Sequence, residues 1–145
     1  MPELVFEWLA QSRWSLDRQF DNPKMPGLSA SGEARFLMLA TNQLSYLEEG
    51  ELSAGGSFSK RYTFTWVPDG IEVVHDDPHN RGQAFQTLVL APNDQGSWMC
   101  RASNFCAPDH YQSLWCFAQD YWRMHHDVSG PRKQYGITTM LTRLS

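Results

Sequence analysis

Four side chains in one short stretch have the types needed for acid–base chemistry: Tyr46, Glu48, Glu49 and Glu51. Successive side chains of a strand point to opposite faces, so Tyr46 and Glu48 share a face that can line an interior. A carboxyl group in an apolar interior has a raised pKa and can exchange a proton near neutral pH. Glu48 is therefore a catalytic candidate. The competing interpretation is that the acidic run is a solvated strand end before a turn.

Two adjacent histidines, His125 and His126, lie in a strand-like run and must point to opposite faces. The inward one could act as a general base or as a haem ligand, because neutral imidazole serves both purposes. A structural histidine is the alternative. We take His125 as the second catalytic candidate.

The run Ser57 to Val67 alternates between aromatic and polar residues, the pattern of a two-faced strand. If its polar face points inward, Arg61 can anchor an anionic or enol oxygen. If its aromatic face points inward, Arg61 is solvated. Exposing Phe58, Tyr62, Phe64 and Trp66 together would create a large apolar patch, which favours the aromatic face as the inward one.

Asn104 shares a strand face with Trp98, Cys100 and Ala102, an apolar set that must be buried. A buried amide needs hydrogen-bond partners, which a ligand or a neighbour such as Tyr111 can supply. Aromatic walls would give affinity for a small ligand and polar groups would orient it. The expected ligand-binding residues are Tyr46, Arg61, Tyr62, Phe64, Trp66, Asn104, Tyr111 and Trp115.

Metal ligands are suggested only weakly. His75, Asp76, Asp77 and His79 surround a proline in a polar loop, but no third ligand comes from a strand. The three cysteines match no zinc spacing. We expect no metal and no cofactor, with haem as the alternative.

The elements that must position these residues are strands, since strand-like runs follow one another without a long helix-period segment. The predicted order is a short helix and ten strands: Pro2–Ala10, then Trp14–Phe20, Ser29–Ala40, Gln43–Glu48, Ser57–Val67, Ile71–His75, Gln83–Ala91, Ser97–Cys106, His110–Ala118, Tyr121–Val128 and Tyr135–Leu144. A sheet with nothing else to cover it closes on itself. The fold class is therefore mainly β: one antiparallel barrel of about nine or ten strands, closed by pairing of the last strand with the first.

The 145 residues show no break in composition, so they form a single domain. A net charge of -4 without basic clusters argues against a nucleic-acid partner. No apolar window reaches the length of about 18 residues that spans a bilayer, and acids stand near the N-terminus, so we expect a cytoplasmic protein that does not enter a membrane. The oligomeric state is left open.

Five motifs carry a resemblance to known proteins: WSLDR at Trp14–Arg18, LSYLEEGEL at Leu44–Leu52, KRYTFTW at Lys60–Trp66, CAPDHY at Cys106–Tyr111 and VSGPRKQYGITT at Val128–Thr139. Over nearly its whole length the sequence resembles an uncharacterised bacterial and fungal family of the calycin superfamily, which includes lipocalins and fatty-acid-binding proteins. The resemblance implies a lipocalin-like barrel. The family pattern places a histidine at the position of Asn104, where an amide could hold a carbonyl or hydroxyl group instead.

We therefore expect the barrel to enclose a small hydrophobic or aromatic molecule. It could also catalyse a cofactor-free isomerisation or cyclisation of that molecule by acid–base chemistry, as an isomerase or cyclase. The alternatives are a haem-binding barrel like nitrobindin, with His125 or His126 as axial ligand, and a non-catalytic partner-binding domain.

Overall fold

The computed structural model describes residues 2–145. It contains one helix and eleven strands: α1 (Pro2–Leu9), β1 (Arg13–Asp21), β2 (Ser29–Ala40), β3 (Gln43–Leu52), β4 (Ser57–Val67), β5 (Gly70–His75), β6 (Ala84–Leu88), β7 (Ala91–Pro92), β8 (Trp98–Cys106), β9 (Asp109–Phe117), β10 (Tyr121–Ser129) and β11 (Gln134–Arg143). The mainly β fold class is confirmed. Within residues 2–145 there is no helix of the length and apolar character needed to cross a bilayer.

All the strands belong to one antiparallel sheet, in the order β6-β5-β4-β3-β2-β1-β11-β10-β9-β8-β7. The predicted pairing of the last strand with the first is confirmed, with Leu16 opposite Leu141. It was expected to close the barrel, but it lies inside the sheet, whose two ends are β6 and β7. The sheet curls so that its two ends approach each other.

The strand predicted over Gln83–Ala91 is divided into two pieces, which raises the number of strands to eleven. Leu88 in β6 still pairs with Ile71 of β5, whereas Ala91 in β7 pairs with Met99 of β8. The chain thus passes from one end of the sheet to the other within a few residues. No continuous ladder of backbone hydrogen bonds joins the two ends of the sheet. They are connected instead by the chain that crosses from β6 to β7.

Strand β4 turns its aromatic face inward. Tyr62 and Phe64 are buried, Phe58 and Trp66 are half-buried, and Arg61 on the other face is exposed. This is the orientation favoured by the cost of exposing a large apolar patch.

One end of the curled sheet is filled by side chains. Val5 and Leu9 of α1 are fully buried there, and the Phe6 ring meets the Trp66 ring edge-on with 4.9 Å between centroids. Beneath the helix, buried aromatic rings pack against one another: Trp14, Phe36, Phe64, Trp115, Phe117 and Trp122. The helix therefore closes this end, and the interior is left hollow toward the other.

Candidate ligand-binding cavity

The hollow end contains a cavity of about 800 Å³. Its apolar wall includes Phe20, Phe58, Phe85 and Met124. Its polar side chains come from seven strands or adjoining loops and include Arg18, Glu48, Lys60, His75, Asn104, Tyr111 and His126. A cavity of this size, mostly apolar and with a few polar groups, is typical of small-molecule sites.

A buried ion pair lies at the cavity floor. Arg18 donates from Nη2 to Glu48 Oε2 at 2.8 Å and from Nε to Thr139 Oγ1 at 2.7 Å. The Tyr46 hydroxyl donates to the same Glu48 oxygen at 2.6 Å. The Glu48 side chain is 1% exposed and that of Arg18 is 14% exposed. Because the two charges cancel, a neutral ligand can lie against this floor without an uncompensated charge.

The second oxygen of Glu48 is not used by the fold. Both donors converge on Oε2, and Oε1 is buried with no hydrogen-bond partner among the described residues. Buried polar atoms are rarely left in this condition, because an unmade hydrogen bond costs about 1–3 kcal/mol. Glu48 thus lines the cavity while one of its carboxylate oxygens is enclosed and unpaired.

Two tyrosines beside the ion pair are held as neutral phenols. Burial and the nearby Glu48 raise the pKa of Tyr46 well above its ordinary value. Burial and Glu48 also raise the pKa of Tyr62, whose ring lines the cavity and stacks on Phe85 with 5.5 Å between centroids. Their hydroxyl groups therefore act as hydrogen-bond donors at neutral pH rather than as phenolates.

A branched network of four hydrogen bonds links Gln86 of β6 to β8 and β9 and, through Ser113, to β10. Trp115 donates from Nε1 to Gln86 Oε1 at 2.8 Å, and Gln86 Nε2 donates to Asn104 Oδ1 at 2.9 Å and to Ser113 Oγ at 2.7 Å. Ser113 Oγ lies 2.5 Å from Nδ1 of His126. An indole nitrogen can only donate, so Trp115 fixes which end of the Gln86 amide is oxygen. A hydroxyl oxygen can accept two hydrogen bonds, so the bond from Gln86 does not by itself set the direction of the bond to His126. Among the described residues, however, His126 Nδ1 is the one acceptor bonded to the Ser113 hydroxyl, so we assign the Ser113 hydrogen to this bond.

The bond direction assigns the tautomer of His126. An Nδ1 atom that accepts from Ser113 leaves the ring hydrogen on Nε2. Burial, the charge of Arg18 and the neighbouring His125 lower the pKa of His126 to about 4, so the ring is neutral at pH 7. His126 lines the cavity with 8% of its surface exposed. It therefore presents an N–H group rather than a lone pair.

Charged groups surround another part of the cavity wall. Lys60 Nζ lies 2.8 Å from Asp77 Oδ2 and 3.0 Å from His75 Nδ1. Partial burial and the charge of Lys60 lower the pKa of His75, which favours a neutral ring that can accept from the ammonium. No group of three His, Cys, Asp or Glu side chains that could hold a metal ion is present within residues 2–145.

The structure brings several of the predicted site residues together. Glu48, Tyr62, Asn104 and Tyr111 line the cavity. Tyr46 and Trp115 are fully buried behind its wall. Tyr46 bonds to Glu48 of the wall, whereas Trp115 bonds to Gln86, which in turn bonds to Asn104 of the wall.

Four predicted site residues do not reach the cavity. Phe64 is buried in the filled end, and Trp66 packs there against Phe6. Arg61 is on the outer face, because the aromatic face of β4 points inward. His125 also faces outward and bonds to Thr138 Oγ1 and Asp127 Oδ1, whereas His126 occupies the inner position.

Several polar residues of the site were not selected from the sequence, among them Arg18, Lys60, His75 and His126 in the cavity wall and Gln86 beside it. Arg18 and His126 left a signal. Arg18 shares a strand face with Trp14, Leu16 and Phe20. His126 shares a strand face with Trp122, Met124 and Val128. A polar residue on an otherwise apolar face is an inward candidate. Gln86 had no such signal, because its neighbour Phe85 is buried as well.

These features define a hollow antiparallel β-barrel with a polar floor and one end closed by a helix. The chain belongs to the family of unknown function DUF6314, whose profile matches residues 10–143. No protein with a curated description matches the sequence.

Solved structures with the same architecture have little sequence identity to this chain. The crystal structure of Rv2717c from M. tuberculosis superposes with a TM-score of 0.75 at 13% identity, over 98% of this chain and 96% of that one. The S-type phycobiliprotein lyase CPES from Guillardia theta gives a TM-score of 0.66 at 11% identity, over 99% and 92%. The redesigned barrel mFAP1, bound to DFHBI, gives 0.53 at 12% identity, over 96% and 98%. At these identities the likeness establishes the fold alone.

Proposed function

We propose that this protein binds one small, largely apolar or aromatic molecule inside its barrel, and that it is a member of the calycin superfamily. The observation that carries the proposal is the cavity itself, which has aromatic walls and a buried carboxylate with a spare acceptor oxygen. Two of the solved structures with a similar fold support the proposal: mFAP1 is bound to DFHBI, and CPES is a phycobiliprotein lyase.

The test begins with native mass spectrometry of the purified protein, followed by denaturation and identification of any released molecule. In parallel, fluorene and 9-fluorenone are titrated as planar aromatic probes while tryptophan fluorescence is recorded. We expect binding of at least one probe. A protein that releases nothing and binds neither probe at millimolar concentration would refute the proposal.

Two adjacent residues provide a matched pair of variants. Ala30 is buried and lines the cavity, whereas Ser31 next to it is exposed on the outer face. Ala30→Phe adds a ring inside the cavity and should weaken probe binding, because the space is no longer available. Ser31→Phe adds the same ring outside and should leave binding unchanged. Equal binding by the two variants would place the probe elsewhere on the molecule.

A second candidate function is a cofactor-free isomerisation or cyclisation in which Glu48 moves a proton. The observation favouring it is the free Oε1 atom of a carboxylate in an apolar cavity. The molecule released from the protein is incubated with fresh protein in D₂O, and deuterium incorporation or rearrangement is followed by NMR. Glu48→Gln should abolish the reaction and retain binding. Unchanged turnover in Glu48→Gln would reject this role.

The haem alternative is not supported by the residues present. An axial ligand needs a histidine lone pair that faces the cavity. His125 faces outward, and His126 would offer a lone pair to the cavity only in the other tautomer, in which Nδ1 carries the hydrogen and donates it to Ser113.

A cytoplasmic location is part of the proposal. Cys100, Cys106 and Cys116 are free thiols, which suits a reducing compartment. Cell fractionation with an antibody to the protein tests it, and recovery in the membrane or extracellular fraction would count against it.

A further inference from the structure

We propose that His126 and Asn104 together receive a carbonyl or enolate oxygen of the bound molecule, so that the ligand is an aromatic or conjugated carbonyl compound. This inference rests on the proposed binding function and goes beyond it by naming the ligand's chemical class.

The first half of the donor pair is the N–H group of His126. With His126 Nδ1 assigned as the acceptor of the Ser113 hydrogen, the ring hydrogen is on Nε2, the nitrogen that has no bond within the described residues, and the ring lines the cavity. The ring stays neutral at physiological pH, and a neutral imidazole can donate this hydrogen bond without bringing a charge into the cavity.

The second half is the amide of Asn104. Its Oδ1 atom accepts from Gln86 Nε2, which turns the Nδ2 group away from Gln86. Within the described residues no acceptor lies within hydrogen-bond distance of Nδ2, and the half-buried side chain lines the cavity. Because Asn104 and Ser113 accept from the same Gln86 nitrogen, Asn104 and His126 lie on the same side of the cavity.

The surroundings favour a conjugated carbonyl group over a carboxylate. Phe85 lies beside the donor pair, with its ring centroid 5.7 Å from that of His126 and 6.0 Å from that of Tyr111. These rings provide a surface for a flat ligand. Both donors are neutral, and the Arg18 charge on the floor is already paired with Glu48, so it is not free to pair with a carboxylate. An oxygen with only partial negative charge is therefore the best match.

The first experiment measures the tautomer without any ligand. Two-dimensional ¹H–¹⁵N NMR of the imidazole rings distinguishes a nitrogen that carries hydrogen from one that does not, and the His126 signals are assigned by their loss in His126→Phe. We expect hydrogen on Nε2. Hydrogen on Nδ1 in the wild-type protein would overturn the proposal.

The second experiment uses two probes of nearly the same shape, 9-fluorenone and fluorene, which differ in the carbonyl group. In the wild-type protein the infrared carbonyl band of bound 9-fluorenone should shift to lower frequency because of the hydrogen bonds. In His126→Phe the affinity for 9-fluorenone relative to fluorene should fall about fivefold to tenfold, the range for loss of one neutral hydrogen bond. Asn104→Leu, at a half-buried position, should change the ratio in the same direction.

His125→Phe is the matched control, because it makes the same substitution at the next residue on the outer face. It should keep both the band position and the affinity ratio. If both probes bind but the carbonyl band is unshifted and the ratio is the same in all variants, the inference fails and the binding function stands. If neither probe binds the wild-type protein, the binding function itself fails.

Discussion

His126 should make the protein less stable as the solution becomes mildly acidic. Its pKa in the folded protein is about 4, against 6.5 for an unperturbed histidine, because the ring is buried near Arg18 and His125. The unfolded chain therefore binds a proton at this position at a higher pH than the folded chain does. The folded state keeps its full stability above pH 6.5 and loses it as the pH falls toward 4.

The size of the effect follows from the two pKa values. Each pKa unit is worth about 1.4 kcal/mol, so the free energy of unfolding should fall by about 3 kcal/mol between pH 6.5 and pH 4 because of this group. The change should level off below pH 4, where His126 is protonated in both states. His75 contributes in the same direction, since its pKa is also lowered.

The assay is urea unfolding followed by tryptophan fluorescence at several pH values from 7 to 4. His126→Asn is the informative variant, because the asparagine Oδ1 can accept from Ser113 in place of Nδ1 and cannot titrate. We expect a lower stability at pH 7 but a flatter dependence on pH. His125→Asn, on the outer face, should keep most of the wild-type dependence, because burial and Arg18 lower the pKa of His126 more than His125 does. If His126→Asn and the wild-type protein lose stability in parallel, His126 does not have the environment described above.

Two further predictions concern the ion pair and the thiols. Arg18→Met leaves the Glu48 carboxylate buried without its partner and should lower the free energy of unfolding by about 3–5 kcal/mol. The double variant with Glu48→Gln should recover most of this loss, because no buried charge remains. A loss below about 1 kcal/mol in urea unfolding of Arg18→Met would contradict the pairing. A maleimide at pH 7 should modify exposed Cys106 and spare Cys100, whose pKa burial raises to about 11, and buried Cys116. Peptide mass spectrometry after brief labelling measures this, and equal modification of Cys100 and Cys106 would disagree with the structure.

The fold could be predicted because its information is local. The alternation in Ser57–Val67 sets the inward face of β4, and Pro68-Asp69-Gly70 provides the turn that begins the next strand. The division of the predicted strand Gln83–Ala91 could not be predicted in this way. It depends on which distant strand each half pairs with, and the local pattern does not contain that information.

The candidate site was predictable only where a single strand carries the signal. Tyr46 and Glu48 were predicted to share a face that could line an interior, and both side chains are buried and joined by a hydrogen bond. The link from Glu48 to Arg18 joins β3 to β1 across β2, so it depends on the registers of both strand pairs, which the pattern within one strand does not contain. The sequence favours His126 over His125 as the inward histidine, since only His126 shares its face with apolar residues, which the structure buries.

The crossing from β6 to β7 also has a consequence for self-association. Open sheets carry unpaired backbone groups at their edges, and another chain can add a strand there and start aggregation. Here the two edge strands are short neighbours in the sequence, and β7 consists of Ala91 and Pro92 alone. Proline has no N–H to offer an incoming strand. The Gln86 side chain of β6 also donates a hydrogen bond across the gap to Asn104 of β8. The barrel is thus protected against strand addition at the gap between β6 and β8, although its sheet keeps two edges.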